Sequence, residues 1–332
     1  MEFVKHFSTI DTHVCGEPMR IITGGIPFLR GQTISEKAEH CRRIFEADRR
    51  VLLFEPRGHH GMCACIVTEP VNANSDFGVI FMNNGGYSRF SGHGIIAVVT
   101  ALLETGHVRL KELQQSIYID TEIGVIAARA HRRESVVEAV SFENKPAFVH
   151  TADVAIPFEN LTIQADISFG GEFYATVDAV AAKLPITKGQ IPLLQQTAHQ
   201  IKQYLNRTLS VSHPDLPHIQ NIAGVVFFDA SRDDHVRNVT VFADRQVNRS
   251  PSGTAVSALL ATLVRHGGQR ICTPSIHESI IGTSITATLV GETTVGHFPA
   301  VIAEITGTGF VTGIHQMVVD PTDPLAQGFL LQ

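Results

Sequence analysis

Two short stretches hold side chains at spacings suited to chemistry on a small anion. The first is Phe90-Ser91-Gly92-His93-Gly94, within FMNNGGYSRFSGHGIIAVV. The second is Asn248-Arg249-Ser250-Pro251-Ser252-Gly253-Thr254, within DRQVNRSPSGTAVSALL. Each sets a serine and a glycine at the start of an apolar run with helical character. A helix start presents unpaired N–H groups and the positive end of the macrodipole, so it attracts carboxylates. Glycines beside the serines let a ligand approach the backbone closely. Two such starts facing one ligand would point a residue at each of its faces. Inversion at a carbon next to a carboxylate needs that arrangement, one group removing the proton and the other returning it. Ser91 and Ser252 are therefore the candidate catalytic residues, with Gly92, Gly253 and Thr254 at the same helix starts as candidate substrate-binding residues. A serine hydroxyl is not a base unless another group activates it. The nearest candidate activator is His93.

The two stretches also match downstream. Ser91 precedes Gly106 by fifteen residues, and Ser252 precedes Gly267 by fifteen. Ala97, Val98, Leu102 and Leu103 correspond to Ala258, Leu259, Leu263 and Val264. Glycine closes each run where a left-handed residue is wanted. The serines lie 161 residues apart, near half of the 332-residue chain, which points to two similar halves. Any two amphipathic helices with a Ser-Gly start would align in the same way, so the match is suggestive only in company.

The elements that must position these residues are mostly strands. RVLLFEP, FGVIFM, SIYIDTEIGVIAARA, SVVEAVSFENKPAFV, AGVVFFDA and NVTVFA read as strands, rich in Val, Ile and Phe and bounded by turn formers. Helices are expected at about Ser35 to Ala47, Gly94 to Thr105, Lys188 to Leu205 and Thr254 to His266. Helices set among antiparallel-looking strands predict an α+β fold, not a doubly wound parallel sheet. The domain expectation is residues 1–130 plus about 310–332 around the Ser91 helix, and 131–309 around the Ser252 helix.

Composition bounds the function. Hydrophobic residues make up 44% and charged residues 17%, enough for a sizeable core. A net charge of -6 without a basic cluster argues against nucleic acid. No apolar run reaches membrane-spanning length, so a cytoplasmic protein with no membrane partner is expected. The five cysteines, Cys15, Cys41, Cys63, Cys65 and Cys272, are irregularly spaced and read as reduced thiols. His59, His60, Cys63 and Cys65 in HHGMCAC raise a metal site, but C-x-C lacks zinc-finger spacing and no second ligand pair is present. A strand packing small thiols is the favoured reading, with no metal expected. Neither serine sits in a G-x-S-x-G elbow, and no G-x-G-x-x-G or Walker lysine marks a nucleotide. Among other candidates, His13 reads as a structural strand residue and Cys15 as a thiol without an evident partner. Glu55 and Arg57 read as a turn-stabilising pair. Phe81 and Tyr87 read as core residues that could also wall the site, and Asp244 as a strand residue able to orient a neighbour.

The segments IDTHVCGEPMRIITGG, EPRGHHGM, FMNNGGYSRFSGHGIIAV, RSPSGT, ESIIGTS and FVTGIHQMVVDPTDPLAQGFLL run nearly end to end. Together they resemble the proline racemase superfamily. The resemblance implies a cofactor-independent enzyme with a fold like diaminopimelate epimerase. That fold has two similar domains, each with strands wrapped around a central helix, and the site in the cleft between them. It implies a small imino acid, proline or hydroxyproline, as substrate; a homodimer is also possible. By the same resemblance, His93 and the residue at position 248, here Asn248, would be substrate-binding residues at the amine, and the last stretch would return to the first domain.

The chain departs from the family where the chemistry sits. Epimerases and racemases of the family typically carry cysteine at both helix starts, dehydratases cysteine then threonine, and some members serine then cysteine. Here Ser91 and Ser252 stand at both, Asn248 replaces the family's aspartate, and Ala255 a glycine. Replacement of both cysteines to trap a ligand would not require Asn248, Ala255 or Phe90, so natural divergence is favoured. A thiolate at a helix start is a credible base, whereas a serine needs help. Dehydration of 3-hydroxyproline needs a base on one face only, and Ser252 is nearer to threonine than to cysteine. The expectation is therefore trans-3-hydroxy-L-proline dehydratase. The alternatives are 4-hydroxyproline 2-epimerase or proline racemase, and a catalytically silent carboxylate-binding homologue.

Overall fold

The computed structural model describes residues 5–110, 115–134, 136–158, 161–232, 235–268 and 271–331. The chain divides into two compact units, Met1–Phe142 with Thr308–Gln332, and Glu143–Gly307. In the first unit, strand Lys5–Val14 pairs antiparallel with Gly309–Val319 and with Glu17–Gly24. Glu17–Gly24 runs parallel to Cys63–Thr68, which pairs antiparallel with Phe77–Asn83. Phe77–Asn83 runs parallel to Ile117–Thr121, followed by antiparallel partners Gly124–Arg133 and Val136–Glu143.

The second unit repeats this order of pairing senses. Ala147–Phe158, Leu161–Phe169 and Phe173–Asp178 pair antiparallel in turn, and Phe173–Asp178 runs parallel to Ile222–Asp229. Next come antiparallel His235–Phe242, parallel Pro274–Glu278, then antiparallel Ser284–Val295 and Phe298–Gly307. Ala300 and Val301 pair back with Phe148 and Ala147, which closes the second sheet on itself. Both units thus follow the order antiparallel, antiparallel, parallel, antiparallel, parallel, antiparallel, antiparallel. Seven matching pairings in sequence are far harder to reach by chance than one matching pair of helices.

Each unit holds one apolar helix against its strands. Helix Gly92–Glu104 is buried from Gly92 to Leu102, and helix Gly253–Arg265 from Gly253 to Leu263. A helix apolar all round must be enclosed; the first touches Lys5–Val14, Glu17–Gly24 and Gly309–Val319, the second Ala147–Phe158, Leu161–Phe169 and Phe298–Gly307. Gly106 (φ +74°) and Gly267 (φ +75°) end these helices in the left-handed region. The remaining α-helices among the described residues are amphipathic: Ile34–Ile44 and Glu46–Leu53 follow Glu17–Gly24 in the chain, and Ile191–Thr208 follows Phe173–Asp178.

Two expectations about elements are corrected. RVLLFEP is not a strand: Val51–Leu53 end helix Glu46–Leu53, which begins within the stretch assigned to the preceding helix. A four-residue apolar run fits either period. Here the helix is fixed by buried Arg49, which bonds Glu46 on one side and the carbonyls of Asn83 and Asn84 on the other. Asp244 lies in the exposed turn after His235–Phe242, not on a strand. Cys63 and Cys65 do sit buried on a strand, while His59 and His60 are exposed in the preceding turn. Ser135, which begins the stretch SVVEAVSFENKPAFV, lies outside the described residues.

Candidate active site

The first helix start is built around Ser91. Its backbone is extended (φ −146°, ψ 110°), and its Oγ caps the helix by accepting from Gly94 N–H at 3.2 Å. Cap and first intrahelical bond occupy Gly94 and Ile95 N–H, leaving those of Gly92 and His93 for a ligand. A Cβ on Gly94 would come within 2.5 Å of Phe81 Cε1 and 2.9 Å of Ser91 Oγ, so glycine alone fits beneath the serine. Phe90 packs edge-on against Phe81 and Phe142, which places Phe81 in the core.

His93 lies 3.3 Å from Ser91 Oγ through Nδ1. It is 7% exposed, and burial pushes its pKa down to about 4. The ring is therefore neutral at neutral pH and able to accept a proton. Its Nε2 is buried and has no hydrogen-bond partner among the described residues. Two residues outside the motif converge on it: the carboxylate of Glu17, the thiol of Cys63 and a His93 ring nitrogen lie within 4.8 Å of one another. Cys63 Sγ is 3.7 Å from Glu17 Oε1. Thiol, imidazole and carboxylate are donor types that zinc takes. The metal-capable groups among the described residues include neither His59, His60 nor Cys65.

The second helix start differs. Ser252 has φ +65° and ψ 112°, a left-handed backbone on a residue with a side chain, and its Oγ caps nothing. Strain of this kind costs about 1–3 kcal/mol and collects at functional positions. Without a side-chain cap, the N–H groups of Gly253, Thr254 and Ala255 are left to a ligand, Val256 N–H bonding Ser252 carbonyl. Ser252 Oγ meets Thr254 Oγ1 at 3.2 Å, and Ser252 N–H donates to Ser250 Oγ at 3.2 Å. Thr254 Oγ1 in turn meets Tyr174 Oη at 2.8 Å. Asn248 Oδ1 accepts from Ser250 N–H at 2.9 Å and Ser250 Oγ at 2.8 Å, so it holds the loop that carries Ser252.

The other candidates take structural places. His13 Nδ1 accepts from Gly16 N–H at 3.3 Å and the ring lies 5.2 Å from Phe310. Cys15 stands in the adjoining turn at φ +52°. Glu55 and Arg57 are not a pair, which corrects the reading of EPRGHHG. Arg57 Nε donates to the Val318 carbonyl at 3.1 Å, and Glu55 bonds Phe329 through its backbone. Tyr87 faces Cys41, whose thiol is pushed up to about 11 by burial. Sequence reasoning missed Glu17 as a neighbour of His93 and Tyr174 as a neighbour of Thr254. The only signal was their place inside GEP and FYATVD, beside glycines that mark tight turns.

The sequence pattern of the family described as proline racemase matches residues 9–330. The chain belongs to the proline racemase family. It is 44% identical to a trans-3-hydroxy-L-proline dehydratase of Bacillus thuringiensis subsp. konkukian (strain 97-27), over 100% of each chain. It is 38% identical to a proline racemase of Acetoanaerobium sticklandii, over 99% of each. A hydroxyproline epimerase from Agrobacterium vitis, solved with trans-4-OH-L-proline bound, superposes with a TM-score of 0.93 at 34% identity, covering 100% of this chain and 96% of that one. The family's members are enzymes of three kinds, racemases, epimerases and dehydratases. No helix among the described residues is long and apolar enough to cross a membrane.

Proposed function

We propose that this family member is a trans-3-hydroxy-L-proline dehydratase, with Ser91 and Ser252 as its catalytic residues. The observation that carries the reading is the inequality of the two serines. Ser91 has a neutral imidazole at 3.3 Å, whereas the side-chain partners of Ser252 are hydroxyls. One start is equipped to take a proton and the other is not. Ser91 Oγ removes the C2 proton as its own proton passes to His93 Nδ1. A pKa of about 4 makes His93 a modest acceptor, and Glu17, when ionised, favours the imidazolium as it forms. The C2–H electron pair becomes a C2=C3 bond, the C3–O bond breaks, and the leaving hydroxide takes one proton to become water, balanced by the proton that His93 returns to solvent. The enamine then tautomerises to a cyclic imine. The free N–H groups of Gly92 and His93 at one start, and of Gly253 and Thr254 at the other, are each suited to an anion such as a carboxylate. Asn248 acts by holding the Ser252 loop. The 44% identity to a named dehydratase agrees with this reading, and racemases and epimerases at lower identity give the alternative.

The test is proton NMR in D2O with trans-3-hydroxy-L-proline, trans-4-hydroxy-L-proline and L-proline in separate tubes. Conversion of the 3-hydroxy compound to the imine is expected. A C2-deuterated diastereomer of the 4-hydroxy compound, or racemised proline, without dehydration would overturn it. Binding with no turnover in any tube would leave a silent carboxylate-binding homologue.

A further inference from the structure

Behind Ser252 lies a cluster of three buried hydroxyls, in which Tyr174 interacts with Ser252 as well as with Thr254. Tyr174 Oη is 2.8 Å from Thr254 Oγ1, and Thr254 Oγ1 is 3.2 Å from Ser252 Oγ. The three residues are 6%, 4% and 6% exposed. The tyrosine ring sits in an apolar cluster with Val226, Phe228, Ala255 and Leu259. Each hydroxyl has one proton to give, so the chain has a direction. A phenol is a better donor than an alcohol, and burial raises the Tyr174 hydroxyl above its ordinary range, so it carries its proton in the resting site. Tyr174 then donates to Thr254, Thr254 donates to Ser252 Oγ, and the Ser252 proton is left to point at a ligand.

We infer that Tyr174 is a positioning residue that, through Thr254, turns Ser252 into a proton donor for the departing 3-hydroxyl. This rests on the dehydratase reading and adds the acid that it lacks. In the step, the C3–O bond breaks and the leaving oxygen takes the Ser252 proton, forming water. Ser252 regains a proton from Thr254, and Thr254 from Tyr174. The resulting phenolate and the His93 imidazolium formed by C2 deprotonation are reset by net transfer of one proton through solvent. Atoms and charge balance without a co-reactant.

The experiment compares wild type with Tyr174→Phe on trans-3-hydroxy-L-proline in D2O, following both imine formation and deuterium entry at C2 of the remaining substrate. Tyr174→Phe is expected to form imine about 100-fold more slowly, the low end for loss of general-acid help, with KM little changed. Deuterium should accumulate at C2, because Ser91 and His93 still remove the proton while expulsion stalls. Thr254→Val should do the same, and Thr254→Ser, which keeps the hydroxyl, should dehydrate at least tenfold faster than Thr254→Val. This pair keeps the test sound if Tyr174→Phe fails to fold. Wild-type dehydration by folded Tyr174→Phe, or equal loss of exchange and dehydration, overturns the inference. Failure of wild type itself to form imine overturns the dehydratase reading and, with it, the inference.

Discussion

The two helix starts look alike in sequence and are built in opposite ways. Ser91 is extended, caps its helix and touches an imidazole; Ser252 is left-handed, caps nothing and touches hydroxyls. The strands around them share one plan, so the difference is confined to what surrounds each serine. On the proposed reading, the repeated strand plan supplies two helix starts suited to an anion. Specialisation then needs only a few neighbours: His93 and Glu17 on one side, Thr254 and Tyr174 on the other.

The sharpest break of this comparison is a pair of alanine variants. Ser91→Ala should lose both C2 exchange and imine formation by about 10³-fold or more, while Ser252→Ala should lose imine formation and keep exchange. NMR in D2O reads both, and equal behaviour of the two variants would mean that the serines are equivalent after all.

Acid should expose the burial of His93. Its folded pKa of about 4 lies below the ordinary 6.5, so the neutral ring is unpenalised above pH 6.5, and stability is lost as pH falls from 6.5 through 4. Between pH 7 and pH 4, wild type should lose about 3 kcal/mol relative to His93→Asn. Urea unfolding at the two pH values checks this, and a constant difference would show that the ring is solvated.

Glycine substitution probes the packing under each helix start. A Cβ on Gly170 would overlap the Thr254 carbonyl and the Ala258 backbone nitrogen, while one on Gly94 meets the ring edge of Phe81. Backbone cannot move aside as a ring can. Gly170→Ala should therefore cost about 3 kcal/mol and Gly94→Ala about 2 kcal/mol, by thermal unfolding. The smallest effect is expected from Ser252→Gly, which relieves the left-handed backbone. It should stabilise by about 1 kcal/mol while abolishing fast dehydration. A destabilised Ser252→Gly would show that Ser252 is not strained.

Much of the helix pattern was legible because apolar runs with glycine ends state their own bounds. The helix expected at Gly94 to Thr105 is found at Gly92–Glu104, and that at Thr254 to His266 at Gly253–Arg265. RVLLFEP was misread because nothing local reveals that Arg49 is buried on distant carbonyls. The serines and His93 were legible as types at a spacing. Their inequality was not, because Tyr174 lies 80 residues before Thr254 and Glu17 76 residues before His93. Only strand pairing brings such residues together, and the left-handed φ of Ser252 has no signature in a residue type that usually avoids it.

The pairing of Lys5–Val14 with Gly309–Val319 sets an order of events during synthesis. The first strand leaves the ribosome roughly 300 residues before its neighbour exists, a delay of about 15–60 s at ~5–20 residues per second. Residues 143–307 emerge in full during that wait, so the second unit can finish while the first is still unable to close. For that interval one edge of Lys5–Val14 lacks its native partner, as open to another nascent chain as to its own.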